Sequence, residues 1–213
     1  MDDRERATQS SGTAAPKEAL DPSIRDGRSE RGARNRQAIL EAVYDLIQRE
    51  ERTPTAERAA EQAGVGIRTV FRHFKDMDAL YAEVYIRVIE DIREFVELPL
   101  AQGTLDDRCR TLIERRCEMF DRIAPVRRAF SAQRNQSKML GQLNESTINA
   151  LRMRLYGTFP ELEGAAPALT EALDLLSSFE AWNRLKVEQG LSNFEVRICL
   201  EAAFTSLMRE AIQ

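Results

Sequence analysis

The segment AGVGIRTVFRHF, residues Ala63 to Phe74, decides the fold of this 213-residue chain. Two glycines stand at its start, followed by a short stretch with two arginines, a threonine and the only histidine of the chain. Gly64 can adopt the left-handed backbone conformation that a sharp reversal needs. Before it, the small residues Ala59, Ala60 and Ala63 let another helix approach closely. We therefore predict two short helices that cross steeply, as in a helix-turn-helix.

Helical periodicity dominates the chain from Arg31 onward, and no convincing run of alternating β-branched residues is present. The motif Thr53-Pro54-Thr55 offers an N-cap and a first-turn proline for the second helix, and Asp76 can cap the fourth. The chain is therefore predicted to be all-α. We expect an N-terminal three-helix helix-turn-helix domain and a larger C-terminal helical domain. The predicted helices are residues 31–49, 53–64, 67–74, 76–98, 105–123, 125–135, 139–159, 167–189 and 193–212.

Composition divides the chain into three parts. Residues 1–30 lack aromatic side chains and mix Ser, Gly, Pro and charges, which predicts a disordered tail. Residues 31–75 carry nine Lys/Arg against six Asp/Glu, whereas residues 76–213 carry 17 against 22, so a basic segment precedes an acidic one. The predicted domains are residues 31–78 for the helix-turn-helix and 79–213 for the C-terminal domain, with the fourth helix, 76–98, linking them.

The cysteines Cys109, Cys117 and Cys199 form no CxxC pair, and a single histidine accompanies them. This pattern predicts neither a disulfide framework nor a zinc site, and no metal or cofactor is expected. The N-terminus has no apolar stretch typical of a signal peptide, and no apolar run is as long as a membrane span. We expect a cytoplasmic protein without a membrane segment. A thiol redox sensor at Cys109 and Cys117 stays open as an alternative to simple packing.

The third helix has an outward face of unusual composition. A first-turn arginine such as Arg68 can donate two hydrogen bonds to a guanine in the major groove, and Thr69 and Arg72 can contact bases or phosphates. Because the helix has only about two turns, its N-terminal part would enter the groove. The outward residues are Ile67, Arg68, Thr69, Phe71, Arg72 and His73.

Further contacts to DNA are predicted around this helix. Thr55 and the N-terminus of the second helix would bind a phosphate through backbone amides. Arg34 and Arg36, at the start of the first helix, would add phosphate or minor-groove contacts. Lys75 adds a positive charge directly after the third helix.

The segment TAERAAEQAGVGIRTVFRHFKDMDAL, residues 55–80, resembles the DNA-binding motif of the TetR family of bacterial transcriptional regulators. The usual family pattern runs I-A-x-x-A-G-V-S-x-x-T-x-Y-x-x-F, followed by a Lys-Glu-x-Leu start to the fourth helix. The resemblance is specific from Arg31 to about Asp91 and looser beyond. It favours a phosphate contact for His73, the alternative being a helix C-terminal residue that interacts with the helix dipole. The matching residues are Ala60, Ala63, Gly64, Val65, Thr69, Phe74 and Leu80.

Three residues depart from the family pattern, and each departure removes a contact to the DNA backbone. Gly66 stands where the family commonly has serine, Phe71 where it has tyrosine, and Met77 where it has lysine. Without a hydroxyl, Phe71 either touches a sugar or a thymine methyl or simply packs in the fold. The arginines of the third helix and Lys75 would compensate for the lost contacts.

The resemblance implies a homodimer in which the last two helices pair with their twofold mates. The apolar side chains of these helices exceed what the core of one monomer requires, and exposed together they would favour aggregation. The predicted interface residues are Leu173, Leu176, Phe179, Leu185, Phe204, Leu207 and Met208.

The resemblance also implies an inducer site for a small apolar or amphipathic effector between the intermediate helices and the last pair. The intermediate helices carry methionine and aromatic side chains that suit an adaptable apolar pocket, although each also suits an ordinary core. The candidate pocket residues are Met119, Phe120, Phe130, Met139, Tyr156 and Trp182.

These features predict an effector-responsive repressor that binds a palindromic DNA operator as a dimer. The alternative is a helical adaptor without sequence-specific DNA binding, which would account for the acidic C-terminal half but leave the Arg/Thr face of the third helix unused. An enzyme is not expected, because one histidine beside two arginines supplies no nucleophile, base or metal cluster.

Overall fold

The computed structural model describes residues 22–49, 53–131, 133–135 and 137–212, and within these ranges it is helical without any strand. The prediction of an all-α chain is confirmed. The chain divides into two units, one ending at Arg34 and the other formed by residues 35–213. None of the described helices combines the length and the apolar character that a membrane crossing requires.

Ten α-helices and two irregular turns make up the described chain. A 3-10 turn covers Pro160–Gly164, and a π-helical turn covers Arg184–Glu188. The helices are α1 (Pro22–Gln48), α2 (Ala56–Gln62), α3 (Ile67–His73), α4 (Met77–Asp91), α5 (Arg93–Glu97), α6 (Leu105–Ser131), α7 (Lys138–Thr158), α8 (Pro167–Leu176), α9 (Phe179–Asn183) and α10 (Asn193–Ala211).

The first helix begins earlier than predicted. Residues 1–21 of the predicted tail lie outside the described residues, but residues 22–30 are helical and belong to α1. Pro22 stands at the first position of the helix, where a proline needs no hydrogen-bond donor. Two glycines, Gly27 and Gly32, lie inside α1, so helix propensity alone did not predict this early start.

The predicted helix boundary at Pro125 is wrong, because Pro125 lies inside α6. A proline removes one backbone hydrogen bond and strains the preceding turn. Here the side chains on both sides of it, Ala124 and Val126, are buried in the core. Tertiary packing thus outweighs the local stop signal, and one long helix replaces the two that were predicted.

Two other helices predicted as continuous are broken. Between α8 and α9, the Ser177 hydroxyl donates to the carbonyl of Leu173, and the Ser178 hydroxyl accepts from the amide of Ala181 and caps α9. These serine side chains compete with the helical backbone hydrogen bonds. The predicted fourth helix ends at Asp91 and resumes as α5 after Ile92.

The core is built around α6, which packs against α4, α5, α7, α9 and α10. The aromatic rings of Phe120, Phe179 and Trp182 contact one another, with centroids 5.6 to 6.1 Å apart. Towards the helix-turn-helix, the ring of Tyr81 of α4 contacts the ring of Phe130 of α6 in a tilted arrangement, with centroids 5.3 Å apart. A continuous core therefore links α4 to the C-terminal helices.

Candidate nucleic-acid interface and ligand cavity

The corner between α2 and α3 has the geometry that its glycine predicts. Gly64 has φ of +65°, and the amide of Val65 donates to the carbonyl of Ala60 at 3.0 Å, which closes α2. Gly66 then precedes α3 as its N-cap without a side-chain hydrogen bond. Val70, on the inner face of α3, is fully buried. This anchoring fixes which side chains of α3 face outward.

The outer face of α3 combines exposed cations with exposed apolar side chains. Ile67 is 41% exposed and Phe71 is 48% exposed, which is high for large apolar residues. Arg68 and Arg72 are exposed as well, and neither forms an ion pair with any described residue. Thr69 is half-buried between them, and Lys75 is exposed after the helix. The structure therefore brings the sequence-predicted α3 residues together on one surface.

His73 differs from its neighbours because its ring is turned partly inward. Its Nε2 atom is buried and has no hydrogen-bond partner in the described part of the chain. Burial, with the nearby charges of Arg72 and Arg36, lowers the pKa of the imidazole. A neutral ring with a buried Nε2 is a weaker phosphate ligand than the sequence predicts.

The start of α2 carries the predicted cap, but at Thr55 rather than Thr53. The Thr55 hydroxyl accepts from the amide of Arg58 at 3.4 Å, so Pro54 precedes the cap instead of opening the helix. Glu57 stands in the first turn, and hydrogen bonds from its own backbone amide and the Thr55 hydroxyl lower the pKa of its carboxyl. This carboxylate already occupies part of the helix end to which we assigned a phosphate.

The two arginines of α1 have different surroundings. Arg36 forms an ion pair with Glu83 of α4, and its guanidinium lies over the ring of Phe74 at 5.1 Å. Arg36 therefore connects α1 with α4 and the end of α3, and its expected phosphate or minor-groove contact stays a prediction. Arg34 is exposed on α1, within the N-terminal unit.

A cavity of about 450 Å³ lies between α6, α7, α8 and α9. Of the six predicted pocket residues, only Phe120 lines it. Met119 and Phe130 are core residues that border voids of only about 30 and 10 Å³. Trp182 is buried with its ring 6.1 Å from that of Phe120, on the wall of a separate surface depression.

The other two predicted pocket residues also lie elsewhere. Met139 is 50% exposed near the start of α7. Tyr156 borders a groove of about 520 Å³ beside the 3-10 turn, with Pro160, Glu163 and Pro167 exposed along it. This groove is separate from the cavity next to Phe120, although Glu171 borders both.

Sequence reasoning missed the arginines of the cavity wall. Arg116 and Arg127 are both buried and both line the cavity. They share a helix face with Leu112, Phe120 and Ile123, so the signal was an arginine inside an apolar helical stripe. Such a signal is weak, because arginine is rarely buried in proteins.

The predicted dimer interface requires a correction. Leu173, Phe179, Phe204 and Met208 are buried inside a single chain, so they belong to the core and are not available to a partner. They follow the strongest apolar periodicity, which is the signal of the inner face of a helix. The remaining three predicted residues, Leu176, Leu185 and Leu207, are half-buried.

The central part of the exposed face of α10 is uncharged and consists mostly of small residues, with the exposed charges of Glu195 near the start of the helix and of Arg209 and Glu210 near its end. The charged residues beside it are engaged within the chain, since Arg197 pairs with Glu114 at 3.2 Å and Glu201 pairs with Arg110 at 3.3 Å. Helices with small side chains on a shared face can approach each other closely. The exposed residues of this face are Ile198, Cys199, Ala202, Ala203 and Ser206.

The thiols of α6 have surroundings that disfavour ionisation. Burial raises the pKa of Cys109 to about 11 and that of Cys117 to about 12. A sensor thiol needs a lowered pKa and access to the oxidant, so simple packing is the better interpretation of both residues. Across the described residues, no group of three or more His, Cys, Asp or Glu side chains could hold a metal ion.

Comparison with known proteins finds matches among solved structures but none from sequence. No protein-family model matches the chain, and no curated protein matches it significantly. A transcriptional regulator from Rhodococcus sp. Rha1 is similar with a TM-score of 0.65 and 16% identity, covering 85% of this chain and 98% of that one. A TetR-family transcriptional regulator from Streptomyces coelicolor has a TM-score of 0.65 and 21% identity, covering 83% of this chain and 81% of that one. The chain therefore has the fold of TetR-family regulators, with an N-terminal helix-turn-helix domain and a helical C-terminal domain.

Proposed function

We propose that the protein is a DNA-binding transcriptional regulator that binds a palindromic operator as a homodimer and releases it when a small molecule enters the C-terminal cavity. The observation that carries this proposal is the outer face of α3. Exposed arginines without ion pairs among the described residues stand there beside exposed Ile67 and Phe71. Structures of the same fold are described as transcriptional regulators.

The chemistry of this face suits the major groove. Arg68, in the first turn of α3, can donate two hydrogen bonds to the O6 and N7 atoms of a guanine. Arg72, one turn later, can reach a base edge or a phosphate, and Phe71 can contact a thymine methyl. Because Gly66 has no hydroxyl that could contact the DNA backbone, the affinity for DNA depends on Arg68, Arg72 and Lys75.

Dimerisation supplies the second half-site. The uncharged centre of the exposed α10 face, around Ala202, would pack against its copy across a twofold axis. Two recognition helices must then lie about one turn of B-DNA apart, ~34 Å, to bind one face of the duplex. A single module has too few contacts for operator specificity, so loss of the dimer should mean loss of tight binding.

A chain of direct contacts connects the cavity with the start of α2. Arg127 and Thr147 line the cavity, and both contact the hydroxyl of Tyr85 on α4, at 3.3 and 3.4 Å. One turn earlier on α4, the Tyr81 hydroxyl donates to the carbonyl of Pro54 at 2.6 Å, directly before the Thr55 cap. A ligand that moves Arg127 or Thr147 would shift α4 and so the helix-turn-helix. A preference of only ~3 kcal/mol for the shifted state would weaken operator binding about a hundredfold.

Binding to DNA tests the proposal directly. We expect the full-length protein to shift a duplex from the region upstream of its own gene at two salt concentrations, in the presence of excess non-specific competitor. Arg68→Ala and Arg72→Ala should each weaken operator binding by ~1–3 kcal/mol if the arginine reads a base. Lys138→Ala, which removes an exposed charge at the start of α7, should leave the affinity unchanged.

Two outcomes would count against this function. Binding that disappears with any competitor DNA would favour the helical adaptor. An equal loss for Lys138→Ala and the α3 variants would mean that the interaction is general electrostatics rather than recognition by α3.

A further inference from the structure

The cavity between α6, α7, α8 and α9 has walls of mixed chemistry. Phe120, Ile148 and Leu175 give it apolar surface, and Ile148 and Leu175 are themselves solvent-exposed at its edge. Its volume of about 450 Å³ lies in the range of small-molecule sites. An apolar body of one or two rings fits such walls, and the polar groups would decide which head group accompanies it.

Arg116 is the polar group that the fold does not neutralise. Only 5% of its surface is exposed, and it forms no ion pair with a carboxylate among the described residues. Its guanidinium donates to the carbonyl and hydroxyl oxygens of Ser177, both at 2.5 Å, and to the carbonyl of Leu151 at 2.7 Å. These bonds use three of the five N–H groups that a guanidinium can donate.

The other charges around the cavity are paired with one another. Arg152 bonds to Glu171 and lies 3.4 Å from Asp174, while Glu180 contacts Arg127 at 3.1 Å and Arg134 at 3.6 Å. Asp174 attracts Arg116 electrostatically without forming an ion pair with it. Three arginines and three carboxylates line the cavity, but all three carboxylates form ion pairs with Arg127, Arg134 or Arg152, so the buried Arg116 is left without a direct ion pair among the described residues.

A purely structural role for Arg116 is costly. Its bonds to Ser177 do hold the break between α8 and α9, and the C-terminal end of α8 favours a positive charge. However, burying a guanidinium without an anion costs several kcal/mol, and a neutral donor could make the same bonds. Burial lowers the pKa of Arg116 only to about 10, so it stays protonated at neutral pH.

We propose that this cavity binds an amphipathic carboxylate, whose head group pairs with Arg116 and whose apolar body lies against Phe120, Ile148 and Leu175. The assignment of this ligand as the effector rests on the function proposed above. The binding of the anion itself does not. The ligand supplies the direct ion pair that Arg116 does not form with any described carboxylate, so it should bind more tightly than a neutral molecule of the same shape.

Isothermal titration of the full-length protein with 1-naphthylacetate and with 1-naphthylacetamide tests the proposal, because the two probes differ in charge but hardly in shape. The carboxylate should bind at least about tenfold more tightly than the amide. Arg116→Met should remove this preference, and Arg116→Lys should retain part of it. Ile148→Trp should block both probes by filling the cavity from its edge, whereas Met153→Trp, at an exposed site of α7 outside the cavity, should not.

Equal binding of the two probes, or no binding of either, would overturn the proposal. So would an unchanged preference in Arg116→Met. If circular dichroism shows that Arg116→Met does not fold, the preference of the wild type for the carboxylate and the effect of Ile148→Trp decide whether the cavity is an anion site. Operator binding by the ligand-free protein is measured separately. If the protein binds the carboxylate probe but no operator, the proposed regulator is refuted and the anion site is not. If it binds an operator but shows no preference for the carboxylate probe, the anion site alone is refuted.

Discussion

At the scale of single residues, the turn between α2 and α3 depends on the backbone conformation of Gly64. Its φ of +65° lies in the left-handed region, where a side chain is strained even though an added Cβ would meet no atom within 4 Å. Gly66, two residues later, also has free space around a Cβ but has an ordinary φ of −76°. The two glycines therefore form a matched pair in which only backbone conformation differs.

Replacing Gly64 with alanine should lower the free energy of unfolding by ~1–2 kcal/mol, because an L-residue resists the left-handed conformation. Gly66→Ala should change the free energy of unfolding by less than about 0.5 kcal/mol. Alanine is a poorer N-cap, which lowers stability, but it also makes the unfolded chain less flexible, which raises stability. Urea denaturation followed by circular dichroism measures both values. Equal losses for the two variants would show that the corner does not depend on the left-handed glycine.

Residues whose environment is local were predicted well, and residues whose environment comes from distant segments were not. The sequence indicated the corner at Gly64 and the cap at Asp76, which accepts from the amide of Ala79 at 2.8 Å. It could not indicate that Arg36 meets Glu83, or that the ring of His73 turns inward, because both depend on how α1 and α4 pack. The unpaired charge of Arg116 likewise emerges only when α7 and α8 are in place.

At the scale of helices, side-chain caps define most of the boundaries. Before α10, the Ser192 hydroxyl accepts from the amide of Glu195, and the Ser192 amide donates to the Glu195 carboxylate at 2.8 Å. This reciprocal pair is a capping box. Gly190, with φ of +69°, turns the chain just before it. The joint predicted at residues 190–192 is present.

Ser192→Ala should lower the free energy of unfolding by about 1 kcal/mol through loss of the cap. Ser146→Ala, an exposed interior position of α7, should have no such effect. The Ser192 hydroxyl and amide hold the pKa of Glu195 below its ordinary value, so this carboxylate stabilises the fold above that value and ceases to do so on acidification. Between about pH 5 and 3, wild type should therefore lose more stability than Ser192→Ala, as measured by thermal melts. Parallel pH profiles would contradict the role of the capping box.

Helix ends were less predictable where packing and local signals disagree. Pro125 is a strong stop signal in the sequence, yet α6 continues through it because its neighbours are buried. The break at Ser177 and Ser178 has only weak sequence signals, and Arg116 of a different helix stabilises it. Local sequence fixes the existence of these helices, whereas contacts between helices decide where they end.

At the scale of the whole molecule, the distinction between core and partner surface was the hardest to predict. Strong apolar periodicity marks the inner face of α8 and α10, and we assigned part of that face to the dimer. The face that remains exposed on α10 has small side chains at its centre, including Ala202 and Cys199, and no charge between Glu195 and Arg209. Hydrophobicity alone does not distinguish such a face from an ordinary surface. Its shape, visible only in the folded chain, suggests close helix pairing.

Ala202→Arg should convert the proposed dimer into a folded monomer, because two arginines would meet near the twofold axis among small, uncharged side chains. Light scattering after size-exclusion chromatography measures the mass, and operator binding should be lost together with the dimer. Cys199, on the same face, provides an independent readout, since its thiol should react slowly with a thiol reagent in the wild-type dimer and rapidly in the variant. Ala150→Arg, at an exposed site of α7, is the matched control and should leave mass and thiol reactivity unchanged. A dimeric Ala202→Arg protein with a still-protected Cys199 would exclude α10 as the centre of the interface and leave α8 as the candidate.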